Sequence, residues 1–185
     1  MSVRIKISFS EEEIYMIPMP PDGSCFFHSI VFATNIDYLN NPDKRYEIVL
    51  SLRKKLAEIL DYKKDDNITW YNYLSRGHFQ NLSQELNEYS LQNMQKELLS
   101  MGAVDEKYFE LISDLLNIDI YVINSDTNQL VNLDKDIYYK NRYSLILYFH
   151  PSGHYDILSV KRNDVYYVLF KPNDNFILLL QNQLK

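Results

Sequence analysis

The chain of 185 residues holds a single cysteine, which excludes an internal disulfide and any metal site built on several thiolates, and which fits a reducing compartment. It has no apolar run of membrane-spanning length. Its first residues, MSVRIKISFSEEEIYMIP, lack the apolar centre of a secretory leader. It has no block of Lys and Arg longer than a few residues. A net charge of -6 disfavours a broad nucleic-acid surface and suits, weakly, a partner with a basic contact face. No internal repeat or low-complexity linker divides it. These absences lead us to expect one soluble, cytoplasmic domain spanning 1–185, with neither a nucleic-acid nor a membrane role. The four histidines, His28, His78, His150 and His154, are scattered except for the last pair. On a helix their i,i+4 spacing would suit zinc, but Pro151 and Gly153 intervene, and no metal site is expected.

What is present is an ordinary hydrophobic content of 46% with sixteen tyrosines, which together with abundant Asn, Ile and Lys suggests an AT-rich coding genome such as that of a large DNA virus or an intracellular bacterium. Residues 3–9 alternate (Val3, Ile5, Ile7, Phe9) and read as an edge strand. Pro18, Pro20 and Pro21 force an extended approach to Asp22. Apolar spacing predicts a largely buried helix over 25–34, a second over about 43–60, and further helical segments over 83–101 and 105–117. Thereafter the period shortens. Residues 118–125, 143–150, 155–160 and 165–170 read as strands, and 175–184 as a strand or a short helix. Helices early and strands late predict an α+β fold, with helices packed around a small, mostly antiparallel sheet.

Cys25 stands where Asp22-Gly23-Ser24 runs into the first helix. A helix N-terminus and a neighbouring histidine are the two devices that favour a thiolate. Asp caps well, Gly admits unusual backbone angles, and such a turn can aim N–H groups at one point, as an oxyanion hole requires. On this stretch alone, a core cysteine at a helix start fits at least as well as a nucleophile.

The second stretch is LILYFHPSGHYDILSV, residues 145–160. His154 lies at a loop-to-strand transition and Asp156 follows two positions later, on the same face of a strand. Asp156 can therefore accept the ring N–H, hold the tautomer and stabilise an imidazolium. Read in isolation, an incidental histidine in a surface turn remains an alternative.

Together, Asp22-Gly23-Ser24-Cys25-Phe26-Phe27-His28-Ser29 and His154-Tyr155-Asp156 resemble the ovarian-tumour (OTU) family of cysteine proteases. The resemblance covers about residues 17–160 and is specific at both ends. The family's tryptophan-glycine step is replaced by Gly102-Ala103-Val104-Asp105. The resemblance implies a papain-like protease fold of the OTU type and a deubiquitinase, cutting the isopeptide bond after the C-terminal glycine of ubiquitin without a cofactor. It implies Cys25 as nucleophile, His154 as general base, Asp156 as the acid orienting it, and Asp22, with Gly23 and Ser24, as the loop shaping the oxyanion hole. It leaves open which of Asp22 and Asp156 is the triad acid. His28 matches a family position that reads as structural. Phe149 and Tyr155 are candidates for the walls of a narrow Gly-Gly channel. Trp70, Tyr73 and Phe79 are candidates for a ubiquitin surface, although packing between helices explains them as well. The expected partners are ubiquitin or polyubiquitin chains, with ubiquitin-like modifiers left open, and the expected state is a monomer. The rival readings are a catalytically silent ubiquitin-binding module, another papain-like thiol protease, or a thiol acyltransferase.

Overall fold

The computed structural model describes residues 2–184 apart from Asn67, 80–89, Asp105 and 134–137, and for 76–79 it describes the backbone alone. The first helix, α1 (Cys25–Thr34), is buried continuously from Cys25 to Val31. A helix apolar on all sides has to sit between layers rather than on a surface, and α1 packs against both the sheet and a second long helix, α3 (Arg45–Ile59). Between them lie a short α2 (Ile36–Asn40), capped by the Asn35 side chain, and the 3-10 turn Pro42–Lys44. A small hairpin, β3 (Lys63–Asp65) and β4 (Ile68–Thr69), leads into α4 (Trp70–Phe79). Then come α5 (Leu91–Leu99) and, after the 3-10 turn Glu106–Tyr108, α6 (Phe109–Leu116). Of the two helical segments expected over 83–101 and 105–117, residues 83–89 and Asp105 lie outside the described residues.

The main sheet is ordered β1-β2-β8-β7-β5-β6. Its strands are β1 (Val3–Ile5), β2 (Glu13–Ile17), β5 (Ile118–Asn124), β6 (Gln129–Leu130), β7 (Tyr143–His150) and β8 (His154–Arg162). Every described pairing is antiparallel except β5 with β7. The expected α+β architecture is what is found. Two details differ. The expected strand over 3–9 ends at Ile5, and a second strand, β2, crosses to β8. Its local sequence, EIYMI, carries strand-favouring Ile and Tyr, and pairing with β8 completes it as a strand. Residues 165–170 form two pieces, β9 (Val165–Tyr167) on β8 and β10 (Leu169–Phe170) on β7, because those two strands pair with each other only over Leu147–His150 and Ile157–His154. The last segment, expected as a strand or a short helix, is the helix α7 (Asn175–Gln181).

Both faces of the sheet are buried, and the alternation shows it. Ile120, Val122, Leu145, Leu147 and Ile157 face the layer of α1, α3, α5 and α6. Tyr121, Ile123, Ile146, Leu158 and Val160 face α7 and the loop carrying Ile7. Residues two apart share a face of a strand, so a middle-layer strand is apolar throughout. Among the described residues no helix is long and apolar enough to cross a membrane.

α7 is fastened at its start. Asp174 accepts the N–H of Phe176 at 2.9 Å as a cap, and its carboxylate grips Arg162 of β8, which also holds Glu12. Asp174→Ala should therefore cost about 1–2 kcal/mol in urea denaturation, the scale of a lost cap with an accompanying ion pair. The Arg162 guanidinium and the Phe176 N–H outweigh burial and hold the Asp174 carboxyl below its ordinary value of 3.8. A carboxyl depressed in the folded state contributes in full above that ordinary value. Its contribution is lost as pH falls through the lower, folded value. The difference between the wild type and Asp174→Ala should accordingly be constant near neutrality and shrink in acid.

Candidate active site

The site is assembled from two loops that sequence separation keeps far apart. The first is the turn before α1. Asp22 accepts the N–H of Ser24 at 2.9 Å, and Gly23 takes a φ of +79°. A Cβ at Gly23 would collide with the carbonyl oxygen of Met101, so both the angle and the space require glycine. Ser24 stands at the N-cap but does not cap, because its hydroxyl accepts a hydrogen bond from Arg53 at 2.9 Å. The first-turn N–H groups of α1 are thereby left for the thiol.

Arg53 has no exposed surface, yet each part of its head is satisfied. It donates to the carbonyls of Leu98 (2.7 Å), Glu97 (3.0 Å) and Gly102 (2.9 Å), and its face lies 4.3 Å from the centre of the Phe27 ring. It ties α3, the α5–α6 connection and the nucleophile turn to one point. Gly102 belongs to the segment that departs from the family pattern, so the guanidinium anchors the departure.

The other side of the turn is held by Asp22. Its second oxygen meets Nε2 of the buried His28 at 2.9 Å, and Nδ1 of the same ring meets the Tyr38 hydroxyl at 2.6 Å. With Asp22 ionised, a neutral His28 donates from Nε2 and accepts the Tyr38 O–H. His28 is structural, as the sequence suggested, and it acts on the site through Asp22. Burial pushes the Asp22 carboxyl up, but the Ser24 N–H and His28 outweigh it, and the carboxyl rests below its ordinary value.

The second loop is the β7–β8 hairpin. The turn Pro151-Ser152-Gly153, with Gly153 at a φ of +89°, sets His150 directly opposite His154. The Tyr155 N–H donates to Cys25 Sγ at 3.3 Å, which brings the start of α1 to the start of β8. His154 Nε2 lies 2.9 Å from Asp156 Oδ1, and the Met19 N–H donates to the same oxygen at 2.8 Å. Asp156, not Asp22, is thus the acid on His154. An ionised carboxylate only accepts, so His154 donates from Nε2 and its Nδ1 is the nitrogen free to take a proton.

Pro21, Gly23 and Cys25 on one side, and His150, Ser152, Gly153, His154 and Asp156 on the other, line a cleft of about 500 Å³. A groove of similar volume between α1, α2 and α3 carries Asp37, Lys44, Glu47 and Lys55 but no cysteine or histidine. Burial pushes the Cys25 thiol up. The N–H groups of Tyr155 and Phe26 work against this, while the carboxylates of Asp156 and Asp22 add to it. The sulfur therefore depends on a base for its proton, and the imidazoles of His150 and His154 line the same cleft. The arrangement is chemically that of a thiol nucleophile, an imidazole and an orienting carboxylate, next to uncapped backbone donors.

His150 is the residue that reasoning from sequence set aside. Its Nε2 reaches the other oxygen of Asp156 at 2.9 Å, so one carboxylate serves two histidines. The signal was the short Pro-Ser-Gly turn, which in a hairpin makes the residues on either side of it cross-strand partners. Phe149 and Tyr155 are cross-strand partners as well, with ring centres 5.0 Å apart. Both pack toward the α1 layer, Tyr155 against Phe26 and Phe109, and they are not among the residues lining the cleft. Trp70 and Tyr73 enclose the Lys64 ammonium at 4.1 and 4.3 Å, and Tyr73 donates to Glu110, which fastens α4 to the β3–β4 hairpin and α6. The side chain of Phe79 lies outside the described residues. Among the described residues no group of three or more His, Cys, Asp or Glu is placed to hold a metal ion.

No family model matches the chain, and neither does any curated protein sequence. Solved structures do. An ovarian-tumour domain in complex with ubiquitin superposes with a TM-score of 0.59 at 18% identity, over 94% of this chain and 83% of that one. The Hazara virus OTU bound to ubiquitin gives 0.51 at 14%, over 88% and 90%. The viral OTU domain protease of Taggert virus gives 0.50 at 10%, over 88% and 87%. The fold is that of an ovarian-tumour domain. At such identities only the three-dimensional arrangement is shared, and the resemblance drawn from the two short motifs agrees with it.

Within this OTU fold the Arg53 clamp gives a direct test. Arg53→Met keeps the length and the apolar stem but leaves three carbonyls and a hydroxyl without their donor. Urea denaturation should show a loss of about 3 kcal/mol or more, the scale of breaking a buried charged network. A loss below about 1 kcal/mol would mean that the clamp is not what holds the loop.

Proposed function

We propose that the protein is a deubiquitinating cysteine protease that cleaves the isopeptide bond after the C-terminal glycine of ubiquitin. The observation that carries this reading is the convergence of Cys25, His154 and Asp156 on one cleft, in a fold that it shares with ovarian-tumour domains solved with ubiquitin bound. In this reading the Cys25 sulfur attacks the glycine carbonyl carbon while His154 Nδ1 takes the thiol proton. The uncapped N–H groups at the start of α1 face the oxygen on which charge develops. The tetrahedral species collapses to a thioester as His154 passes its proton to the departing lysine amine. Water, activated by the same imidazole, then releases the glycine carboxylate and restores the thiol. Asp156 keeps the ring in the productive tautomer and offsets its charge. Asp22 shapes the loop from behind, through Ser24 and His28.

Ubiquitin bearing a C-terminal electrophile should add once to the wild-type protein under reducing conditions, as read by intact-mass spectrometry, and not at all to Cys25→Ala. Absence of the adduct in the wild type would sink the reading. A chain-release assay on ubiquitin dimers of every linkage then separates hydrolysis from transfer to an amine and from silent binding. Asp156→Ala removes the acceptor of His154 Nε2 and of the Met19 N–H, so the ring loses its orienting partner. Turnover should fall about 100-fold or more, mainly in kcat. Asp22→Ala should slow turnover less, because it loosens the loop while His154 keeps its carboxylate.

A further inference from the structure

Asp156 is unusual in how completely it is held. Its side chain is 5% exposed, and each oxygen has its own donors. Oδ1 takes the Met19 N–H and His154 Nε2, and Oδ2 takes His150 Nε2. The rings of His150 and His154, cross-strand partners with centres 5.7 Å apart, stand side by side on the carboxylate. His150 is itself braced from behind. The Tyr148 ring meets it edge-on at 5.3 Å, and the Tyr148 hydroxyl donates to Asn128 Oδ1 at 2.7 Å, in the turn after β5. A continuous set of contacts thus runs from that turn through Tyr148, His150 and Asp156 to His154.

From this geometry we propose that His150 is a positioning residue of the catalytic centre. Its Nε2–H holds the second oxygen of Asp156 so that the first stays on His154. The inference rests on the proteolytic reading above and deepens it. The physical reason lies in the freedom of a carboxylate. It rotates easily about its last bond, and Met19 and His154 both bind the same oxygen. Without His150, Oδ2 is buried with no donor and regains one by turning toward Met19 or His154, which displaces Oδ1. The imidazole then loses the fixed partner that orients the ring and leaves Nδ1 as its accepting nitrogen. His150 needs no contact with substrate to have this effect.

Because Cys25 is the only cysteine, every alkylation event reports on this thiol, and the first readout needs no substrate. The rate of reaction with iodoacetamide near neutral pH is measured for the wild type, His150→Phe and His150→Gln, beside kcat and KM on a fluorogenic ubiquitin conjugate. Phe keeps the ring without a donor; Gln restores an N–H at similar reach. We expect His150→Phe to lower the alkylation rate and kcat about tenfold each, the equivalent of one charge-assisted hydrogen bond, with KM unchanged. His150→Gln should recover most of both. A second pair controls for folding. His150→Glu matches Gln in size but faces Asp156 with an acceptor, and should fall below His150→Phe while His150→Gln does not. Wild-type rates in His150→Phe would overturn the proposal. So would equal losses in Gln and Glu, or a rise in KM at constant kcat. If the alkylation pattern holds but ubiquitin is not cut, the substrate reading falls and the positioning role stands. If ubiquitin is cut but the His150 variants alkylate like the wild type, this inference falls alone.

Discussion

The buried guanidinium of Arg53 is the constraint on which the nucleophile depends. A cation with no access to water has to find its partners in the protein, and a planar head with five donors can serve several acceptors at once. Here it serves Leu98, Glu97 and Gly102 by their carbonyls and Ser24 by its hydroxyl, over the face of Phe27. Those partners come from the last turn of α5, from the α5–α6 connection and from the turn ahead of Cys25. Tying them together brings Met101 against Gly23, where only a glycine fits. The clamp also draws the Ser24 hydroxyl away from the helix it would otherwise cap.

Burial of the sulfur follows from the same construction, and it works against the thiolate. α1 is enclosed on all sides, so Cys25 sits in low dielectric with two carboxylates near enough to repel its negative form. The opposing devices are local and specific: the Tyr155 N–H on the sulfur, the Phe26 N–H at the start of the helix, and an imidazole to take the proton.

The two aspartates have different partners because they sit on different elements, Asp156 on β8 and Asp22 in the turn before α1. Asp156 is on β8, at the place where that strand meets both β7 and β2, and it is held by Met19 and two histidines of one hairpin. Asp22 is engaged by His28 and, through it, by Tyr38. Each carboxylate has a full set of donors, and neither competes for the other's partners.

Much of this was legible in the chain alone, because it rests on local patterning. The change from helical to strand periodicity located α1, α3, α6 and the strands β5, β7 and β8. Gly23 before Cys25 announced the turn, and the i+2 spacing of His154 and Asp156 placed the acid beside the base. The tertiary structure decided the rest. β2 is a strand because β8 is there to pair with it, and α7 is a helix because Asp174, braced by Arg162, caps it. Arg53 reads in sequence as one more charge on a surface helix; only packing shows that it is buried. His150 reads as half of a broken metal pair; only the hairpin register turns it toward Asp156. Short-range spacing determines which residues share a face or a turn. Contacts across 45 to 137 positions, such as Arg53 with Leu98 or Met19 with Asp156, form only when the layers close.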